Sequence, residues 1–200
     1  MKNVKYKIKN GTSGFTLIEL LIALSVGLVM LMAVFNLTLL ARKAVALSVG
    51  RGELTQNGRL ALERMARDLR QAQMLVTRLP ASAALTGFPP PAQLEFQDGH
   101  DPASLTYLRY HLLGNALYRE SSYYSFSSAP GARVPFNIRD AQSNFPIKTV
   151  LEDAVIADSF QSLQFFGVKL ITVRADLLFG TIRAHLETAI LARNLPGSGN

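Results

Sequence analysis

The chain has 200 residues, with 21 Lys and Arg against 14 Asp and Glu, a formal net charge of +7 and no cysteine. The missing cysteine excludes a disulfide framework, a thiol nucleophile and any thiolate-ligated metal. Three histidines (His100, His111, His185) leave little material for a metal or proton-transfer centre. Because 48% of the residues are hydrophobic and 18% charged, with a mean hydropathy of +0.18 and a pI near 9.9, the composition points to a membrane segment or a polyanion partner. The distribution of those residues decides between the two.

The apolar excess sits at the start. Lys2, Lys5, Lys7 and Lys9 form a basic leader without acids, followed by Asn10, Gly11, Thr12, Ser13 and Gly14. From Phe15 to Ala41 the one charged residue is Glu19, and residues 20–41 carry no charge before Arg42 and Lys43. At about 1.5 Å per residue, those 22 uncharged residues form a helix of roughly 33 Å, enough for a bilayer core of about 30 Å. A cleavable secretory signal has a shorter apolar run, and the Ala44-Val45-Ala46 triplet lies behind Arg42 and Lys43, so a transmembrane helix is the expectation. The cationic leader places the N-terminus in the cytoplasm and the remainder outside the inner membrane. Glu19 stands out: an acid costs about 2.5 to 3.5 kcal/mol at the centre of a spanning helix, and less near an interface. It either reaches the headgroup layer or meets a cation inside an assembly.

The string Gly14-Phe15-Thr16-Leu17-Ile18-Glu19-Leu20-Leu21-Ile22-Ala23 resembles the leader junction of type IV pilins and type II secretion pseudopilins. The resemblance implies that a prepilin peptidase cuts between Gly14 and Phe15, that Phe15 becomes the N-methylated N-terminus, and that Glu19 serves subunit assembly. A buried carboxylate needs a countercharge. The new amine on Phe15 of an adjacent subunit is the nearest candidate.

Residues 44–78 read as an amphipathic helical stem continuing from residues 15–43. Leu54, Gly58, Ala61, Leu62, Met65, Leu69, Ala72 and Val76 recur at three-to-four spacing, a single apolar stripe. Arg59 with Glu63, Glu63 with Arg67, and Arg64 with Asp68 are i,i+4 pairs expected on the wet side. These alternating charges argue for a solvated face over a nucleic-acid patch. The stretch from Gln56 to Ala72 also resembles, more loosely, the stem of PilW-type minor pilins and J-type pseudopilins. Pro80, Pro89, Pro90 and Pro91 mark residues 79–93 as a Pro-rich linker, so the helix must end by Leu79.

Residues 94–195 read as a β-rich head. Residues 104–113 and 116–120 suit a hairpin about Gly114-Asn115, and residues 121–132 suit a Ser/Tyr/Gly-rich loop. Ile171, Val173, Ala175, Leu177 and Phe179 alternate with polar residues, one buried and one wet face. Residues 162–166 and 184–193 complete an antiparallel sheet, with residues 196–200 a flexible tail. A long helix followed by strands is an α+β arrangement, and the resemblance implies a pilin-like head packed on its stem.

Chemistry in the head is sparse. Asp98, His100 and Asp101 could line a metal loop, yet Asp-Gly and Asp-Pro are ordinary turn signals. His111 and His185 read as structural or exposed. There is no nucleophile elbow, P-loop, zinc-protease helix or dinucleotide fingerprint. The expectation is therefore no catalytic residue, no cofactor and no metal. The resemblance implies a minor pilin-like subunit that initiates or caps a type IV pilus, or else a J-type pseudopilin of type II secretion. Its partners would be prepilin peptidase, other minor pilins or pseudopilins, the major subunit and the inner membrane, with neither nucleic acid nor a small-molecule substrate. Major pilins often carry a proline in the apolar helix and a C-terminal disulfide loop, and this chain has neither. A DNA-uptake pilin and a membrane-tethered enzyme are more remote alternatives. Without residues 1–14 the balance becomes 17 cations against 14 anions, so the basic pI is mainly a topology signal.

Overall fold

A computed structural model of the chain describes residues 14–84, 87–100 and 104–195. Helix α1 spans Leu17–Gln71, and eight strands follow it: β1 (Met74–Leu75), β2 (Leu94–Gln97), β3 (Tyr107–Leu113), β4 (Ala116–Ser125), β5 (Ile147–Ala157), β6 (Phe160–Phe166), β7 (Leu170–Phe179) and β8 (Ile182–Leu191). The chain divides into two compact units at Ala46/Leu47.

In the first unit the described residues beyond Thr16 are helical, and every one is exposed. Leu17, Ile18, Leu20 and Val26 point in four different directions round the helix and are each 50–79% exposed, so the apolar surface runs round the helix rather than along one stripe. A helix apolar all round belongs in lipid or in the core of an assembly. This is a segment long and apolar enough to cross a membrane.

The second unit begins with the remainder of α1. Here the apolar stripe is buried: Leu54, Gly58, Ala61, Leu62, Met65 and Leu69 pack inward. They meet a core that includes Phe96, Tyr110, Leu117, Phe165, Val173 and Leu177. The strands form two antiparallel sheets, in the orders β1-β2-β3-β4-β5 and β6-β7-β8. The α+β, pilin-like arrangement holds, with the single expected sheet resolved into two.

Local chemistry explains the elements. Gly114, with φ of 62°, allows the tight turn between β3 and β4, and Leu113 pairs with Ala116 across it. Along β7, Ile171, Val173, Ala175 and Leu177 are buried, while Phe179, expected with them, is 62% exposed beside the Gly180 turn. Gly58 lets the stem approach the smaller sheet. A Cβ there would come within 2.6 Å of Leu186 and 2.7 Å of Leu177.

Four expectations need correction. The stem helix stops at Gln71 rather than continuing towards residue 78. Gln73 and Val76 instead donate backbone hydrogen bonds to Gln97 and Glu95, so the chain leaves the helix to add β1 to the sheet. Residues 121–125 are strand, not loop, because β5 pairs with them from Ser121–Glu152 through Ser125–Ile147. Neither β2 nor β5 was foreseen. Finally, Asp68 lies inward instead of pairing with Arg64 on the wet face. Residues 1–13 and 196–200, the expected leader and tail, lie outside the described residues apart from Gly14.

Candidate functional site

The residues singled out near the N-terminus fall together at the start of α1. Thr16 precedes the helix, and its backbone N–H donates to Glu19 Oε2 at 2.9 Å. The Thr16 hydroxyl donates to the same oxygen at 3.0 Å, and the Glu19 N–H donates back to Thr16 Oγ1 at 3.3 Å. This reciprocal Thr-x-x-Glu arrangement is a capping box, which satisfies N–H groups that the first turn leaves without helical partners. Acidic Glu19 in the first turn also suits the positive end of the helix dipole. Glu19 thus has a local role that the sequence reading did not consider, carried by one carboxylate oxygen. That role does not require a neighbouring subunit.

Gly14 and Phe15 are exposed just ahead of this cap, Phe15 at 87%. A Cβ on Gly14 would meet nothing within 4 Å. Among the described residues nothing makes a steric demand for glycine at this position. An exposed peptide bond preceding a capped helix is sterically open to a peptidase.

In the head, the polar groups gather on the larger sheet. Asp68 of α1 accepts hydrogen bonds from Tyr110 and Arg119, cross-strand neighbours on β3 and β4. Burial and the Asp68 charge both push the Tyr110 hydroxyl above its ordinary range. Burial pulls the Arg119 guanidinium down, but the bond and charge of Asp68 outweigh it. A second network joins Glu95, Lys148, Glu120 and Arg109. Lys148 Nζ lies 2.9 Å from Glu95 and 2.7 Å from Glu120, while Arg109 pairs with the other Glu120 oxygen. Burial raises the Glu120 pKa, but Lys148 and then Arg109 overcome it and hold the carboxyl below its usual value. Tyr124 donates its hydroxyl proton to Glu95 at 2.9 Å.

His111, Glu120 and Asp153 bring potential ligand atoms within 4.8 Å of one another. Glu120 already answers to Lys148 and Arg109 with both oxygens, so the group is better described as an ion-pair network than as a metal centre. The His111 ring stacks on Tyr118 at 5.5 Å. Burial and the Arg109 charge lower its pKa. The other sequence candidates stay apart. Asp98 Oδ1 accepts from the His100 backbone and lies 2.6 Å from its ring, a local turn contact, and Asp101 and Pro102 fall outside the described residues. His185 pairs with Asp176 on the smaller sheet. Beside the stem, an open groove of about 460 Å³ is lined by residues that include Leu54, Leu60, Ile156 and Phe179. Its charged lining residues, Glu53 and Asp158, form no convergent acid–base or nucleophile set.

The comparisons fall on the N-terminal segment. Residues 9–35 match the family model described as the prokaryotic N-terminal methylation motif. The matched span contains Gly14, Phe15, the capping box and most of the apolar run. No curated protein and no solved structure gives a significant match. The motif supports a protein of the type IV pilin and pseudopilin kind, which prepilin peptidase processes and which assembles with other pilins. It also fits a single-pass inner-membrane protein and favours a structural subunit over an enzyme.

Proposed function

We propose that the chain is a minor pilin-like subunit of a type IV filament machine, acting in initiation or tip assembly of a type IV pilus. In this reading prepilin peptidase cuts after Gly14 and methylates Phe15. The mature helix of residues 15–43 waits in the inner membrane with the head of residues 94–195 in the periplasm, and then enters the filament. Glu19 serves assembly there by meeting the Phe15 amine of an adjacent subunit. The observation that carries the reading is the methylation motif at residues 9–35, placed where an exposed Gly14–Phe15 bond precedes a capped apolar helix. A J-type pseudopilin of a type II secretion system is the second reading, since the looser likeness of the stem is shared by both kinds of subunit.

The test is mass spectrometry of the mature N-terminus, with and without Gly14→Ala. N-methyl-Phe15 in the parent and an intact leader in the variant are the expected pair of results. A mature chain starting after Ala46 would overturn the reading.

A further inference from the structure

Strand β5 (Ile147–Ala157) is an outer strand of the five-stranded sheet, paired with β4 on one side. Its other edge therefore presents a row of backbone N–H and C=O groups with no strand opposite among the described residues. Edges of this kind are templates for pairing with another chain unless they are short, blunted or covered. Of the other outer strands, β1 and β6 meet one of those conditions. β1 is two residues long. β6 donates the Phe165 N–H to Pro91 O and the Phe160 N–H to Asn115 O. β8 alternates its exposure and carries Arg183, His185 and Glu187 on its wet face.

β5 is the longest strand of the head at 11 residues. Exposure continues without alternation from Thr149 through Asp153. Ile147, Val150, Leu151 and Val155 are each 49–57% exposed. Neither proline nor glycine interrupts it. Its charges also have a direction. Lys148 is turned into the sheet, held by Glu95 and Glu120, whereas Glu152 and Asp153 are exposed and have no ion-pair partner among the described residues. The strand thus offers apolar side chains beside two unneutralised acids, and the electrostatic complement is a strand carrying Lys or Arg.

We propose that β5 is a docking edge at which an extended, basic, alternately apolar segment of a partner polypeptide adds a sixth strand to this sheet. Backbone hydrogen bonds would supply the affinity, and cations opposite Glu152 and Asp153 would select the partner and its register. This inference does not depend on cleavage after Gly14, and it holds for either filament reading.

The test uses the full-length chain in detergent micelles and the synthetic octapeptide Thr-Val-Thr-Lys-Lys-Val-Thr-Val, whose adjacent lysines can oppose the adjacent Glu152 and Asp153, followed by amide hydrogen exchange. The expected result is saturable slowing of exchange, by about tenfold or more, confined to residues 147–157. The double variant Glu152→Lys, Asp153→Lys changes exposed side chains only, and should weaken binding of that peptide by about tenfold. In the same variant, a peptide with Glu replacing Lys should bind better than it binds the parent. Absence of slowing in β5, protection that appears in the groove beside Leu60 instead, or equal affinity for parent and double variant would each overturn the proposal. Concentration-dependent protection of β5 without peptide, accompanied by dimers in solution, would replace the partner strand with a second copy of this chain.

Discussion

The Tyr110 hydroxyl donates a 2.7 Å hydrogen bond to Asp68 Oδ2, joining the buried face of the stem to the centre of the larger sheet. Arg119, the cross-strand neighbour of Tyr110, adds a 2.9 Å bond to the same oxygen. An acid on an apolar helix face is tolerable when it is both hydrogen-bonded and ion-paired, and here it is both. The three groups make the docking of helix on sheet direction-specific, because a one-turn slip of the stem would strand a carboxylate and a guanidinium. Removing the acid leaves Arg119 largely buried without its partner. Asp68→Ala is expected to destabilise the head by about 3 kcal/mol, and Tyr110→Phe by about 1 kcal/mol. Urea unfolding read by tyrosine fluorescence, in a chain that has no tryptophan, measures both. Equal and small effects would show that the triad does not hold the junction.

Gly58 sets how closely that stem approaches the smaller sheet. A Cβ at this position would press on the ends of Leu186 and Leu177, and Leu177 is 1% exposed. Alanine gains about 1 kcal/mol of helix propensity, which offsets part of the crowding, so Gly58→Ala is expected to be near neutral. Gly58→Leu cannot be accommodated by bending leucine tips and should cost about 1 to 3 kcal/mol. The contrast between the two variants in the same unfolding measurement is the check. A stabilised leucine variant would mean that the helix does not approach as closely as the contacts indicate.

The head should lose stability on acidification in two stages. The folded state holds the pKa of His111 below its ordinary value, so the unfolded chain takes up its proton first and stability falls as pH drops from about 6.5. The Glu120 carboxyl is depressed below 4.5 by Lys148 and Arg109. Its contribution is fully present above the unfolded value and is lost as pH falls through the folded one. Asp176, lowered by bonds from Ser162 and His185, acts in the same direction. His111→Gln should flatten the stability profile just below about pH 6.5 while leaving the steeper fall below about pH 4.5 in place. A parent profile already flat through the upper window would remove His111 from the account.

Much of this architecture can be read from residue order where burial is one-sided. The stem stripe, the alternation of β7 and the turn at Gly114-Asn115 all follow from period and turn chemistry. β5 was invisible for the reason that makes it interesting: with both faces exposed and a register shift opposite Ser121/Ser122, it has no hydrophobic alternation to detect. Missing β5 also hid the second half of β4, whose Ser and Tyr residues look like a loop until a partner strand is supplied. Asp68 misled through its chemistry, since a charge beside arginines suggests a wet face. Its phase gave a better signal, because positions 61, 65, 68 and 72 share one side of the helix. At the N-terminus, the motif was legible as a string, while the capping role of Glu19 required the geometry of Thr16.

That capping role changes how Glu19 must be tested. The resemblance implies that its charge meets a neighbouring Phe15 amine, whereas Oε2 is engaged with Thr16. Substitution by alanine removes both functions at once, and a failure to assemble would not separate them. Glu19→Gln keeps an acceptor for the Thr16 N–H and removes the charge. A lost cap costs about 0.5 to 2 kcal/mol and frays the first turn, which should reduce assembly partially. A lost countercharge should abolish it, because an amine buried in an apolar filament core then has no partner. The expected outcome is that Glu19→Gln and Glu19→Ala are both cleaved after Gly14, and that both enter filaments at less than about a tenth of the parent level. Quantitative immunoblotting of sheared filaments against membranes provides the measurement. If the glutamine variant assembles like the parent while the alanine variant does not, Glu19 acts as a helix cap, and the amine of Phe15 must find its countercharge elsewhere.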